Sequence, residues 1–112
     1  MAALAAGAVV LVQFPFSDLS QAKLRPAVVI ADAGRGDWLL CQVTSNPYGD
    51  PLAVTLGSAE FRSGSLRITS CVRPLKLFTA SETIIASQVG ALTDAALRRI
   101  AGTIVTAVQP RP

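Results

Sequence analysis

Along the first two thirds of the chain, apolar residues come in short runs or alternate with polar ones; in the last third they recur at helical spacing. Ala8 to Phe14 is a Val- and Leu-rich run that stops at Pro15, the pattern of a buried first strand. Pro15 to Ala22 is polar and reads as a loop, long for a hairpin. A second strand is expected over Pro26 to Ala31, where a leading proline is tolerated because its missing N–H need not break a central ladder. Gly34-Arg35-Gly36 supplies a turn, and Trp38 to Val43 forms a third strand. After the punctuation Asn46-Pro47-Tyr48-Gly49-Asp50-Pro51, Leu52 to Leu56 reads as a short strand and Gly57 to Ser65 as a polar, mobile loop. Leu66 to Val72 alternates, with Leu66, Ile68, Ser70 and Val72 on one face and Arg67, Thr69, Cys71 and Arg73 on the other. That predicts a strand with one face open to water or ligand.

Thr79-Ala80-Ser81-Glu82 fits a capping box and predicts a short helix over about residues 80–87, ending before Gly90. Thr93 or Asp94 opens a longer helix in which Leu97, Ile100, Ala101, Ile104, Val105 and Val108 form an amphipathic stripe; Pro110 prevents its continuation. Arg98 and Arg99 fall off that stripe. Short strands followed by terminal helices indicate a mainly β, α+β domain over residues 1–112, a small barrel-like sheet with a helix packed on it.

An up-down hairpin over the second and third strands places the start of one beside the end of the other. Arg25 and Thr44 then meet at one end of the sheet despite their separation in sequence. A cation beside a hydroxyl there is a candidate phosphate grip.

Composition narrows what such a grip can be used for. The chain is 51% hydrophobic and only 15% charged, which argues for a compact core and for apolar surface covered by a second copy. Residues Ala2 to Val12 are too few to span a bilayer, no cation precedes them, and Gln13-Phe14-Pro15-Phe16 is not a cleavage site, so a cytoplasmic, non-membrane protein is expected. Cys41 and Cys71 lie in apolar or alternating stretches and read as small buried hydrophobes. With no histidine and two scattered cysteines there is no zinc set, no Ser-His-Asp triad and no Cys-His pair, and no glycine-rich nucleotide fingerprint appears. Residues 1–56 carry three cations against four carboxylates, and residues 57–112 carry seven against three, including Arg62, Arg67, Arg73 and Lys76. A basic second half attracts polyanions or an acidic protein.

Chemistry by positioned cations and hydroxyls suits RNA, whose own 2′-hydroxyl can serve as nucleophile. The protein then has only to align the reacting atoms, stabilise the phosphorane and manage two protons. The planar fork of an arginine is well fitted to the phosphorane, because it makes paired charge-assisted bonds to phosphate oxygens.

In this light the order of features resembles the MazF/PemK toxins, the endoribonuclease halves of bacterial toxin–antitoxin pairs. The anchors are Gly7-Ala-Val-Val-Leu-Val, Lys23-Leu-Arg25-Pro26-Ala-Val-Val-Ile, Gln42-Val-Thr44-Ser45, Ser70-Cys-Val-Arg73-Pro-Leu-Lys76-Leu and Val89-Gly90-Ala-Leu92-Thr-Asp94, together spanning about residues 7–108. The resemblance implies an SH3-like barrel with a C-terminal helix. It implies a homodimer that cuts single-stranded RNA to a 2′,3′-cyclic phosphate and a 5′-hydroxyl without metal or cofactor, and an acidic antitoxin that covers the RNA groove. Arg25 matches the family's catalytic Arg-Pro position, which would stabilise the phosphorane or donate a proton, and Thr44 its Thr-Ser position, which would hold the scissile phosphate. Lys23, Ser45, Phe16, Arg62, Arg67, Arg73 and Lys76 are the candidate RNA contacts.

Two departures concern the general base. Ser20-Gln21-Ala22-Lys23-Leu24 offers no acid before the Arg-Pro pair, leaving Asp18 as the nearest candidate, and the Arg-x-Asp pair of some members falls on Arg73-Pro74-Leu75. Two other readings remain open. A gyrase inhibitor resembling the CcdB toxins would carry an aromatic at the tip of the terminal helix, where this chain has none. A non-catalytic RNA-binding member would bind RNA with strong salt sensitivity and leave it intact.

Overall fold

A computed structural model of the chain describes residues 4–15, 22–47 and 49–110. Its strands are β1 (Ala8–Pro15), β2 (Ala22–Gly34), β3 (Asp37–Thr44), β4 (Val54–Leu56), β5 (Phe61–Gly64), β6 (Ser70–Ser81) and β7 (Ile85–Leu92), followed by helix α1 (Asp94–Val108). The strands form one sheet in the order β4-β6-β3-β2-β1-β7-β5, every neighbouring pair antiparallel. The sheet curls into a half-barrel with the helix at its C-terminal end, as the strand-then-helix pattern leads one to expect.

The apolar runs are buried on both faces. Val9, Val28, Cys41, Val43, Val54, Leu56, Val72 and Leu92 turn inward with Ala96 and Ile100 of α1. Their alternate neighbours Val10, Ala27, Val29 and Leu40 join Leu4, Ala8, Val12, Ala80 and Ile85 in a second cluster, against which Trp38 and Phe78 pack. This two-sided burial is why the strands read as runs rather than as clean alternation. Cys41, fully buried in the first cluster, has its thiol pushed up to about 12 by burial alone, so it stays neutral.

The β2–β3 hairpin forms as its turn residues predict, but its strands are longer. Only Arg35 and Gly36 separate them, both left-handed (φ 56° and 79°), the backbone that matches the twist of a tight hairpin. β2 begins at Ala22 rather than Pro26, because its ladder with β1 runs on to Val12↔Arg25 and Pro15↔Ala22. Pro26 is tolerated inside this longer strand because the β2–β3 ladder begins only at Ala27. Pro74 is handled similarly. β6 residues 73–76 bulge opposite Gln42, between the pairs Val43↔Val72 and Cys41↔Leu77.

Four expectations are corrected. The short helix over 80–87 is a single 3₁₀ turn, Glu82–Ile84, after which Ile85–Leu92 pairs with β1 as β7. Ser81 does accept the Thr83 N–H (3.3 Å), but the following apolar residues are claimed by an open sheet edge. The loop Gly57 to Ser65 holds a 3₁₀ turn (Ser58–Glu60) and strand β5, which pairs with β7. The strand Leu66 to Val72 starts only at Ser70, since among the described residues no strand pairs with 65–69. The short strand over Leu52 to Leu56 is limited to Val54–Leu56.

Helix α1 starts where its cap predicts, with the Thr93 hydroxyl accepting the Ala96 N–H (3.1 Å). Ala96 and Ile100 are buried, whereas Val105 and Val108, at the far end of the stripe, are 55% and 62% exposed. None of the described helices is long and apolar enough to cross a membrane.

Candidate active site

Continuing the β2–β3 register Ala27↔Gln42 by two residues brings Arg25 opposite Thr44, just past the end of the ladder. There the two strands leave a cleft of about 440 Å³ whose lining includes Lys23, Arg25, Thr44, Ser45 and Arg67. Arg67 comes from the segment 65–69 that follows β5; Leu24, Leu66 and Ile68 add an apolar wall. The cleft therefore joins three cations, several hydroxyls and exposed aliphatic groups, Ile68 being 65% exposed. None of its described lining residues is a carboxylate.

Thr44 is half-buried, and its Oγ1 accepts the N–H of Asn46 (3.1 Å). With one lone pair so engaged, its hydroxyl proton remains available to an acceptor in the cleft. The segment carrying Arg67 is set by a close backbone crossing. Gly64 has φ +68° and pairs with Gly90, and a Cβ placed on Gly64 would lie 2.1 Å from the Val89 carbonyl oxygen. Only glycine permits that approach.

The arrangement (an arginine, a directed hydroxyl and flanking cations, with no acid among the described lining residues) suits a phosphodiester. A model of the PemK-like, MazF-like toxins of type II toxin–antitoxin systems matches residues 5–108. The chain belongs to this family. No curated protein matches it in sequence. Solved structures give the same fold. The MazE–MazF complex of Deinococcus radiodurans (Form-II) is similar at 24% identity and TM-score 0.75, over 92% of this chain and 93% of that one. An endoribonuclease bound to its cognate antitoxin, from a mycobacterial species, is similar at 20% identity and TM-score 0.71 over the full length of both chains. The toxin MazF-mt6 of Mycobacterium tuberculosis is similar at 17% identity and TM-score 0.68, over 89% of this chain and 94% of that one.

Within this family member, the residues singled out from sequence fall into three groups. Lys23, Arg25, Thr44, Ser45 and Arg67 share the cleft. Arg62 on β5 and Lys76 in the β6 bulge are exposed but do not line it, and neither does Arg73. Asp18 and Phe16 lie outside the described residues.

Arg73 has a partner that sequence reasoning missed. Its Nε donates to Asp50 Oδ2 at 3.0 Å, with the two side chains only 22% and 13% exposed. Asp50 Oδ1 accepts the Leu52 N–H at 2.9 Å. That backbone bond first, and the bond from Arg73 second, hold the Asp50 carboxyl below its ordinary range. Arg73 thus has a carboxylate partner from another part of the chain. Its only local signal was an Asp before Pro51 in a loop, which any turn would also explain.

Proposed function

We propose that the chain is a toxin that cuts single-stranded RNA in the Arg25–Thr44 cleft, using the RNA's own 2′-hydroxyl as nucleophile. The observation that carries this reading is the convergence of Arg25 and Thr44 in one cation-lined cleft. A phosphodiester entering it meets the three cations Lys23, Arg25 and Arg67.

The reaction forms a bond from the 2′-oxygen to phosphorus and breaks the bond from phosphorus to the 5′-oxygen. A 2′,3′-cyclic phosphate and a 5′-hydroxyl result. Arg25 stabilises charge on the equatorial oxygens as the phosphorane develops, where a positioned donor contributes most. Thr44, oriented through Asn46, donates its hydroxyl to a non-bridging oxygen and holds phosphorus in line. Lys23, Ser45 and Arg67 take the flanking backbone, and Leu24 and Ile68 give bases an apolar surface. Asp18 is assigned the 2′-hydroxyl proton, and the departing 5′-oxygen takes its proton from Arg25 or from water in the cleft. No step needs a metal or cofactor.

An acidic antitoxin would compete for the same positive cleft, in keeping with relatives that include toxin–antitoxin complexes. The working form is a cytoplasmic homodimer. The test is incubation of a mixed-sequence RNA oligonucleotide with the purified protein in excess EDTA, followed by end analysis. Cleavage leaving cyclic phosphate ends, blocked by a 2′-deoxy substitution at the scissile nucleotide, is expected. Salt-sensitive binding without cleavage would support the non-catalytic reading instead, and inhibition of supercoiling the gyrase reading.

A further inference from the structure

We propose that the Asp50–Arg73 pair is a clasp that positions Thr44, and that Asp50 and Arg73 are therefore positioning residues of the cleft. The inference rests on the endoribonuclease reading for its consequence and on topology for its origin. β3 and β4 both flank β6 and run the same way, with Val72 paired to Val43 on one side and to Val54 on the other. Cys71 is likewise flanked by Thr44 and Thr55. The chain that leaves β3 at Thr44 must therefore return along β6 to the level at which it left, and the crossover 45–53 spans that strand.

A crossover of this kind has no ladder of its own. Among the described residues, the bonds within it include the Asn46 N–H on Thr44 Oγ1, the Asp50 N–H on the Pro47 carbonyl (3.0 Å) and the Ala53 N–H on the Asp50 carbonyl (3.2 Å). Each of these is local. The Asp50–Arg73 bond, 23 positions apart in sequence, ties the crossover to the strand beneath it. It does so at a bulge where β6 has left the regular pleat opposite Gln42. Asp50 uses both carboxylate oxygens, one for the Leu52 N–H and one for Arg73, and thereby fixes the loop's turn and its height together.

The consequence reaches the cleft through Asn46. Its N–H sets the Thr44 hydroxyl, and it belongs to the same crossover that Asp50 holds down. Release of the clasp would loosen the crossover that carries Asn46 and, with it, the orientation of the Thr44 hydroxyl. Reacting groups misplaced by about 1 Å lose about 10²-fold in rate, so a loosened Thr44 lowers kcat more than it raises KM.

The test has two arms. In the first, amide exchange is compared between wild type and Arg73→Gln, which breaks the clasp from the β6 side and leaves the Asp50 turn in place. Exchange at Asn46 and Ala53 is expected to quicken by about tenfold or more, because local opening no longer has to break the pair. Unchanged rates at both amides overturn the proposal, whether or not the protein cuts RNA. In the second, single-turnover cleavage is measured for Asp50→Ala, Thr44→Ala and the double variant. Asp50→Ala alone should lose about 10- to 100-fold in rate, but no more than about twofold when Thr44 is already alanine, since coupled residues are non-additive. Equal fold-losses in both backgrounds would mean a purely structural role and overturn the proposal. A wild-type chain that cuts nothing refutes the endoribonuclease reading, and the clasp then stands or falls on the exchange rates.

Discussion

The crossing of Gly64 and Gly90 makes a prediction that can be worked from distances. Replacing Gly64 by alanine adds a Cβ that would lie 2.1 Å from the Val89 oxygen and 2.6 Å from the Gly90 Cα, both backbone atoms that cannot swing aside. The residue also sits at φ +68°, which costs an L-residue about 1–2 kcal/mol. Gly36 separates the two effects. It has φ +79°, and a Cβ added there would meet nothing within 4 Å, so Gly36→Ala carries the conformational cost alone. Overpacking against a rigid neighbour adds about 1–3 kcal/mol. Gly64→Ala is therefore expected to destabilise the chain by about 2–5 kcal/mol in total, and Gly36→Ala by the smaller share. Urea unfolding of both variants measures the difference. The release route is loss of the β5–β7 ladder, which ends at Gly64↔Gly90 and delivers the segment 65–69 to the cleft. RNA affinity should consequently fall in Gly64→Ala and stay level in Gly36→Ala. If the two variants unfold within about 0.5 kcal/mol of each other, inside the usual scatter of such comparisons, the close crossing is not what holds β5.

Other predictions follow from burial and charge. Ile100→Ala, at a fully buried position on α1, should cost about 2–5 kcal/mol, whereas Val105→Ala, 55% exposed, should stay within about 0.5 kcal/mol by the same denaturation assay. The Asp50 carboxyl titrates below its ordinary range in the folded chain, so its contribution to stability is present above the unfolded value and is lost as pH falls through the folded one. The stability gap between wild type and Asp50→Asn should accordingly be flat above about pH 5 and shrink on acidification below the usual carboxylate range near about pH 4; a gap unchanged to low pH would contradict the assignment. Cys41, with its thiol pushed up to about 12 by burial, should resist iodoacetamide at pH near about 8, while the half-buried Cys71 reacts. Mass spectrometry before and after unfolding reads both.

The parts of this fold that were legible in the sequence are those fixed by local rules. The two-residue turn at Arg35-Gly36 closes the β2–β3 hairpin, but Arg25 comes opposite Thr44 only after the register shifts between Asp32 and Gly34 and between Val29 and Ala31, which no local pattern announced. The helix announced itself through Thr93 and a stripe at helical spacing. What sequence could not show depends on neighbours. Ser81-Glu82 carries a helix-start signal, yet the edge of β1 recruits Ile85–Leu92 as a strand. Leu66 to Thr69 alternate like a strand but pair with no strand among the described residues. Asp50 looked like turn punctuation because its contact with Arg73 exists only once the β3–β4 crossover has been laid over β6.

The central claim, that Arg25 acts on the phosphate held by Thr44, is tested most directly by single-turnover RNA cleavage with Arg25→Ala, its fold verified by circular dichroism. Loss of one donor to a developing oxyanion is worth about 10²- to 10³-fold, so the variant should bind RNA and cut it at least that much more slowly. Cleavage by Arg25→Ala at the wild-type rate would contradict the account.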